Sequence, residues 1–214
     1  MAWRWERWAG LAGIAFVVLY VGAFALGIEV GPSDREISEY YADSGHRTKE
    51  AVAFFVIAGA VLAFVLFASA LRSLIAAAEA PPATLAAIAW VGATAYAALT
   101  LAGNAVSRAT AFAAMDDVFQ LDVDSRRLLE DAGLLLLASG AIAAILLVVA
   151  VSIAALRYGI LPSWLAWAGF PIAALLPLAV AFLGFLALFV WVIAVSVTLV
   201  AGRAPTSGER PRAI

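Results

Sequence analysis

The sequence predicts an all-α transmembrane helical bundle of six spans with both termini cytoplasmic. Three observations carry that expectation. Residues 158–202 form a run of forty-five without Asp, Glu, Lys, Arg or His. As one helix this run would be about 65–70 Å long, against a hydrocarbon core about 30 Å thick, so it must cross twice. The composition is 65% hydrophobic and 13% charged, with a mean hydropathy of +1.02, well beyond the balance of a water-soluble domain. The charges also fall into six clusters, and the gaps between them have spanning length.

Arg4–Arg7 precedes 21 uncharged residues, Trp8 to Ile28, and Glu29–Glu50 precedes another 21, Ala51 to Leu71. Arg72 and Glu79 precede Ala80 to Ser107, and Arg108–Asp131 precedes Ala132 to Leu156. Arg157 opens the double run and Arg203–Arg212 closes the chain. One integral membrane domain, 1–214, is expected, with spans near 8–28, 51–74, 84–107, 130–156, 164–176 and 181–201. Outer loops occupy 29–50 and 108–129. The first span could pass for a signal peptide with Ala23-Phe24-Ala25 as cleavage site. Its apolar run exceeds the about 7–15 residues of a leader, so it is read as uncleaved.

The second outer loop feeds a cap, Asp124 or Ser125, of a helix running unbroken to Arg157, which should project span four beyond the bilayer. The last run has no polar loop, so its turn must use proline or glycine. Pro177 is the expected break, because proline has no N–H for an i→i−4 bond and stops the preceding helix. Pro171 would then kink span five, and Gly184 would lie early in span six. A break at Gly169-Phe170-Pro171 leaves span five too short. In the first outer loop Ser33-Asp34-Arg35-Glu36 is a capping box. Ile37, Tyr40, Tyr41 and Ser44 follow on one helix face, and Gly45 is a stop signal. This predicts a short helix lying by its Ile/Tyr edge on the outer ends of the spans.

Orientation follows Lys and Arg in the flanks. Arg4, Arg7, Arg72, Arg157, Arg203, Arg210 and Arg212 stand in short segments on the termini side. The other side carries six cations in longer loops that also hold twelve acids. Trp3, Trp5, Trp8, Trp164 and Trp167 fit an aromatic belt on the termini side.

The polar feature at membrane depth is on span three. Tyr96, Thr100, Asn104 and Arg108 recur every four residues on one helix face. In one reading the stripe lines an outward pocket, with Arg108 placed for an anionic or carbonyl group. In the other, Thr100 and Asn104 join helices and Arg108 snorkels to the interface or pairs with Glu29, Glu130 or Asp131. The candidate ligand-binding set is therefore Tyr96, Thr100, Asn104, Arg108, Glu29 and Asp131. His46 reads as a solvated residue of an exposed turn. Asp116, Asp117, Asp122 and Asp124 lack the Gly and distal Glu of a calcium loop. Small residues at Ala89, Ala93, Ala97, Gly140 and Ala144 let helices approach closely, within this chain or against another.

With no cysteine, thiolate metal sites, disulfides and cysteine nucleophiles are excluded, and no cofactor is expected. A net charge of −2 offers no basic face to nucleic acid. No hydrolase, metalloprotease or nucleotide-binding motif appears. Twelve Arg beside one Lys, Lys49, with abundant Ala, point to a GC-rich bacterial genome. The N-terminal Trp/Arg-flanked helix, the Ser33–Tyr41 loop running on to Arg47-Thr48, the stretch Leu161-Pro162-Ser163-Trp164-Leu165-Ala166-Trp167 and Leu183-Gly184-Phe185-Leu186-Ala187-Leu188 carry a resemblance. Together they resemble uncharacterised multi-span integral membrane proteins of such bacteria, which implies a helical membrane bundle and transfers no functional residue. The functional expectation is a non-enzymatic accessory or scaffold protein of the bacterial cytoplasmic membrane. Its partners would be the lipid bilayer and a small apolar ligand, another membrane protein or a homo-oligomer. The runner-up is a small transporter or channel subunit whose inner path would use Thr94, Ser69 and Ser73. A third reading is an outer-surface enzyme using Arg108, Asp131, Glu29 and His46.

Overall fold

A computed structural model describes residues 2–26, 33–116 and 122–202. Its elements in chain order are α1 (Ala2–Leu26), α2 (Asp34–Ala42), α3 (Ser44–Ala78), α4 (Thr84–Ala113), α5 (Val123–Tyr158), α6 (Ser163–Leu175), a 3-10 segment (Leu176–Ala181) and α7 (Leu183–Val200). Among the described residues there is no strand. Six segments are long and apolar enough to cross a membrane: Arg7–Leu26, Ser44–Ala78, Thr84–Ala113, Val123–Tyr158, Ser163–Ala181 and Leu183–Val200. The chain is a transmembrane bundle of alternating direction, so the start of α1 and the end of α7 share one end, the termini end, and α2 lies at the other, distal end.

The spans are longer than the uncharged runs. At about 1.5 Å per residue, the 36 residues of α5 extend about 54 Å, past a hydrocarbon core of about 30 Å. The projection expected of α5 alone is shared by α3 and α4, of 35 and 30 residues. Acidic caps set where these extensions begin. Asp43 accepts from Gly45 N at 2.6 Å and His46 N at 3.2 Å, so α3 starts directly after α2. Gly45 is thus inside the first turn of α3, and not the stop of α2. Asp122, ahead of the expected Asp124 or Ser125, caps α5 by accepting from Ser125 N at 3.3 Å. At the termini end, Glu79 takes the N–H groups of Leu85 at 3.0 Å and Ala86 at 3.2 Å, closing the α3–α4 connection.

Two kinds of packing hold the bundle. Where α1, α3, α4 and α7 meet, aromatic rings fill the core. Phe16 lies 5.0 Å from Phe64, Phe64 4.6 Å from Tyr96, Tyr20 5.2 Å from Phe189, and Phe67 6.5 Å from Trp191, ring centre to ring centre. Along α4 and α5 the backbones themselves touch. A Cβ on Gly92 would lie 2.6 Å from Leu147 N and 2.9 Å from Ala143 O, and one on Gly103 would lie 2.8 Å from Gly133 O. Ala89, Ala93, Ala97, Gly140 and Ala144 are all buried within this chain. Without a hydrophobic drive between helices in lipid, such close approach is what dispersion requires.

The α-helical part of span five ends beside Pro177 as expected, but the turn comes later than Pro177. Pro177 opens the 3-10 segment after α6, and α6 runs through Pro171. The reversal itself falls on Phe182, at φ 62° and ψ −17°, so α7 begins at Leu183. Gly184 makes the turn sterically feasible, since a Cβ there would lie 2.5 Å from Leu176 O. Trp8, Trp164 and Trp167 are exposed at the termini end, in keeping with an aromatic belt.

The distal layer has its capping box. Ser33 Oγ accepts from Glu36 N at 3.2 Å and Ser33 N donates to Glu36 Oε2 at 3.1 Å. Ile37, Tyr40 and Tyr41 are buried on Ala111, beside Ala114 and Val123, while Ser44 is exposed. The hydrogen bonds from Ser33 hold the Glu36 carboxyl below its ordinary 4.5. Those from Gly45 and His46 hold Asp43 below 3.8.

Two outcomes follow from this packing. Gly92→Leu should destabilise the bundle in detergent by about 1–3 kcal/mol or more through overpacking. Gly59→Ala, where a Cβ meets nothing within 4 Å, should leave thermal unfolding unchanged. Because both caps have lowered folded pKa values, their stabilisation is complete above the unfolded values of 4.5 and 3.8 and fades as pH falls through the folded ones. Amide exchange, corrected for intrinsic rate, should be steady from neutrality down to about pH 4.5 at Ser33 and about pH 3.8 at Gly45 and His46, and accelerate below those values.

Candidate functional site

The α4 stripe points into the bundle along its whole length. Tyr96 and Thr100 are fully buried, Asn104 nearly so, and Arg108 keeps 12% of its side chain exposed. Asn104 uses both ends of its amide. Its Nδ2 donates to Phe54 O on α3 at 3.1 Å, and its Oδ1 accepts from Arg108 Nε at 3.1 Å. Arg108 Nη1 donates to Glu50 O at 3.4 Å and forms an ion pair with Glu50 Oε2. The other carboxylate oxygen of Glu50 accepts from the Tyr40 hydroxyl of α2 at 3.1 Å. One carboxylate therefore ties three helices together at the distal end.

Around this node the contacts are aromatic and cationic. The His46 ring stacks on Tyr40 at 4.3 Å with 3° between planes. The Arg126 guanidinium of α5 lies 5.2 Å from the Tyr41 ring centre and pairs with Glu130. Arg47 Nη1 donates to Ala114 O at 2.6 Å. Together these bonds draw α2 and the first turns of α3 and α5 onto the end of α4. Deeper along α4, the Tyr96 hydroxyl faces Thr100, and neither oxygen makes a hydrogen bond of full geometry.

The structure thus brings together Tyr96, Thr100, Asn104 and Arg108. Glu29 lies outside the described residues. Asp131 is exposed. It sits two residues from Gly133, about 200° around the helix, and Gly133 is the residue that meets α4. Among the described residues Arg108 pairs with Glu50, and not with the expected Asp131 or with Glu130, which is held by Arg126. His46 is half-buried in the first turn of α3 and stacked, instead of standing in an exposed turn. Reading by charge clusters missed Glu50, which was counted as the end of a solvated loop. A signal was present: Glu50, Ala53, Ile57, Ala60, Phe64, Phe67 and Leu71 are the buried side of α3, spaced three and four residues apart. Glu50 begins that seam and so faces inward.

Among the described residues no group of three His, Cys, Asp or Glu stands close enough to hold a metal ion. Thr94 Oγ1 donates to Trp90 O at 2.9 Å and Ser73 Oγ to Ser69 O at 3.0 Å. These hydroxyls are turned back on their own helices and do not extend the stripe towards the termini. No family model, curated protein or solved structure matches this chain.

Removing either member of the half-buried pair leaves the other uncompensated, an effect of about 3–5 kcal/mol. Glu50→Gln and Arg108→Gln should each lower stability by that order. The double variant should cost less than their sum by about 0.5–3 kcal/mol. Arg108→Lys should not restore stability, because an ammonium cannot serve Asn104 and Glu50 together in the guanidinium's planar geometry. Small and additive losses in denaturant unfolding would show that the pair holds nothing.

Proposed function

We infer that this chain is a non-enzymatic accessory protein of a membrane, which holds a folded distal face for a larger membrane complex. The carrying observation is where its polar side chains go. Asn104, Arg108, Glu50 and Tyr40 bond to one another across three helices, and the result is a fastened α2 whose opposite side faces out. Arg35, Glu36 and Glu39 are exposed on that side, with Arg35 and Glu39 paired at 2.7 Å. Loops that need only be solvated require no such fastening. The resemblance to multi-span proteins of GC-rich bacteria and the Lys/Arg distribution support a bacterial cytoplasmic membrane with the termini inside. Lipid or a small apolar molecule is a further ligand class for such a bundle.

One observation favours a second reading, a small transporter or channel subunit. The Tyr96 and Thr100 hydroxyls are buried without a fully formed hydrogen bond, as the floor of a polar pocket would be. Against it, Thr94 and Ser73 bond their own helices.

Gentle extraction from the native membrane followed by native mass spectrometry should show a stoichiometric second protein. Exchanging the exposed charges, Arg35→Glu with Glu39→Lys, preserves the pair. It should leave stability within about 0.5 kcal/mol, as surface changes do, and reduce the co-isolated chain several-fold. A bare monomer in both cases would overturn the accessory reading, and solute flux in liposomes would then decide the transporter one.

A further inference from the structure

At the termini end, away from the polar node, a recess of about 270 Å³ is lined by Arg7, Trp8, Leu11 and Val200. Its origin is a mismatch in helix length. A Cβ on Gly10 would lie 2.6 Å from Ser196 O and 2.7 Å from Val200 Cγ2, so α1 and α7 are in backbone contact at that level. There α7 ends, at Val200, while α1 continues towards its N-terminus past Trp8 and Arg7. The first turns of α1 therefore overhang a step that no other described helix fills. The recess is smaller than the about 300–1,000 Å³ typical of sites for compact ligands, and its walls are apolar except at Arg7.

Among the residues whose side chains are described, the charges that face outward at this end are cations. Arg7, Arg72 and Arg157 are exposed here, whereas the Glu79 carboxylate is turned onto the Leu85 and Ala86 amides. Exposed Trp8, Trp164 and Trp167 mark the level at which indole rings meet headgroups. An apolar recess with a guanidinium among its lining residues, at an end of the bundle that carries further exposed cations, is complementary to one kind of molecule. We propose that the recess between α1 and α7 binds an acidic phospholipid. One acyl chain lies along Leu11 and Val200 under the Trp8 indole, and the headgroup phosphate engages Arg7. Guanidinium suits phosphate because two parallel N–H groups meet two oxygens. The proposal rests on the accessory reading, for which it names one ligand. It concerns the opposite end of the molecule from the α2 face, so the two fail separately.

The test is native mass spectrometry of the delipidated full-length protein in mild non-ionic detergent. It is titrated with phosphatidylglycerol or with phosphatidylcholine of the same acyl chains. Wild type should take its first phosphatidylglycerol at several-fold lower concentration than its first phosphatidylcholine. Arg7→Gln should reduce phosphatidylglycerol binding to the phosphatidylcholine level. Leu11→Trp, which fills the slot and keeps the cation, should lose the first adduct of both lipids. Arg7 and Leu11 are both exposed, so neither change removes a core contact. Equal affinity of wild type for the two lipids would overturn the proposal, as would wild-type behaviour in both variants. So would a homodimer abolished by Leu11→Trp, or a first lipid that binds only once residues 203–214 are deleted, because each names a different occupant of the slot.

Discussion

Within hydrocarbon a polar group finds no water, so each one must be answered by another part of the protein. Burial imposes the same demand at the distal end of the bundle, and there the Glu50–Arg108 ion pair meets it. Arg108 is the one charged residue of α4 and stands near its distal end, and Glu50 begins the inward seam of α3. Brought together, they leave one carboxylate oxygen over, and Tyr40 donates to it. The docking of α2 is thus completed by a hydrogen bond that the buried pair makes available. Asn104 stands below, one turn along, and passes the connection to the backbone of α3. The distal layer is therefore continuous with the interior of the bundle.

The rest of the packing divides according to what each helix pair can offer. α4 and α5 present glycine and alanine, so their backbones come into contact and the attraction is dispersion at short range. On α1, α3 and α7, beyond the close α1–α7 approach at Gly10, the core is Phe, Tyr and Trp, which interlock edge to face. Tyr96 belongs to both regimes. Its ring packs with Phe16 and Phe64, and its carbonyl lies 3.3 Å from where a Gly140 side chain would begin. A residue under both demands tolerates little change, and its hydroxyl is left with Thr100 for company.

Much of this was legible because membrane helices are bounded by charge and broken by proline. The six spans follow from gaps in the charge pattern, the end of the α6 helix from Pro177, and α2 from the Ser33/Glu36 box and the Ile37/Tyr40/Tyr41 edge. The partner choices were not legible. Charge clusters assign Glu50 and Arg108 to separate outer loops, and only the tertiary approach of α3 to α4 makes them neighbours. Asp131 and Glu130 are adjacent in sequence, yet helix rotation leaves one exposed and turns the other to Arg126. Asp43 could be read as part of a polar turn, because nothing local distinguishes a loop aspartate from one that starts a 35-residue helix. Stacking of His46 on Tyr40 depends on that start. Local chemistry thus reveals where helices exist, and rotation about their axes decides which side chains meet.

Asp43 also has a mechanical consequence. It is the single residue between α2 and α3, serving as the C-cap of one and the N-cap of the other. From it α3 runs unbroken to Ala78, so the chain has a rigid rod from the distal face to the termini end with a short arm set on its tip. Turning such a rod about its long axis swings the arm sideways, as a crank does. The position of α2 across the distal face is therefore geared to the rotational setting of the span beneath it.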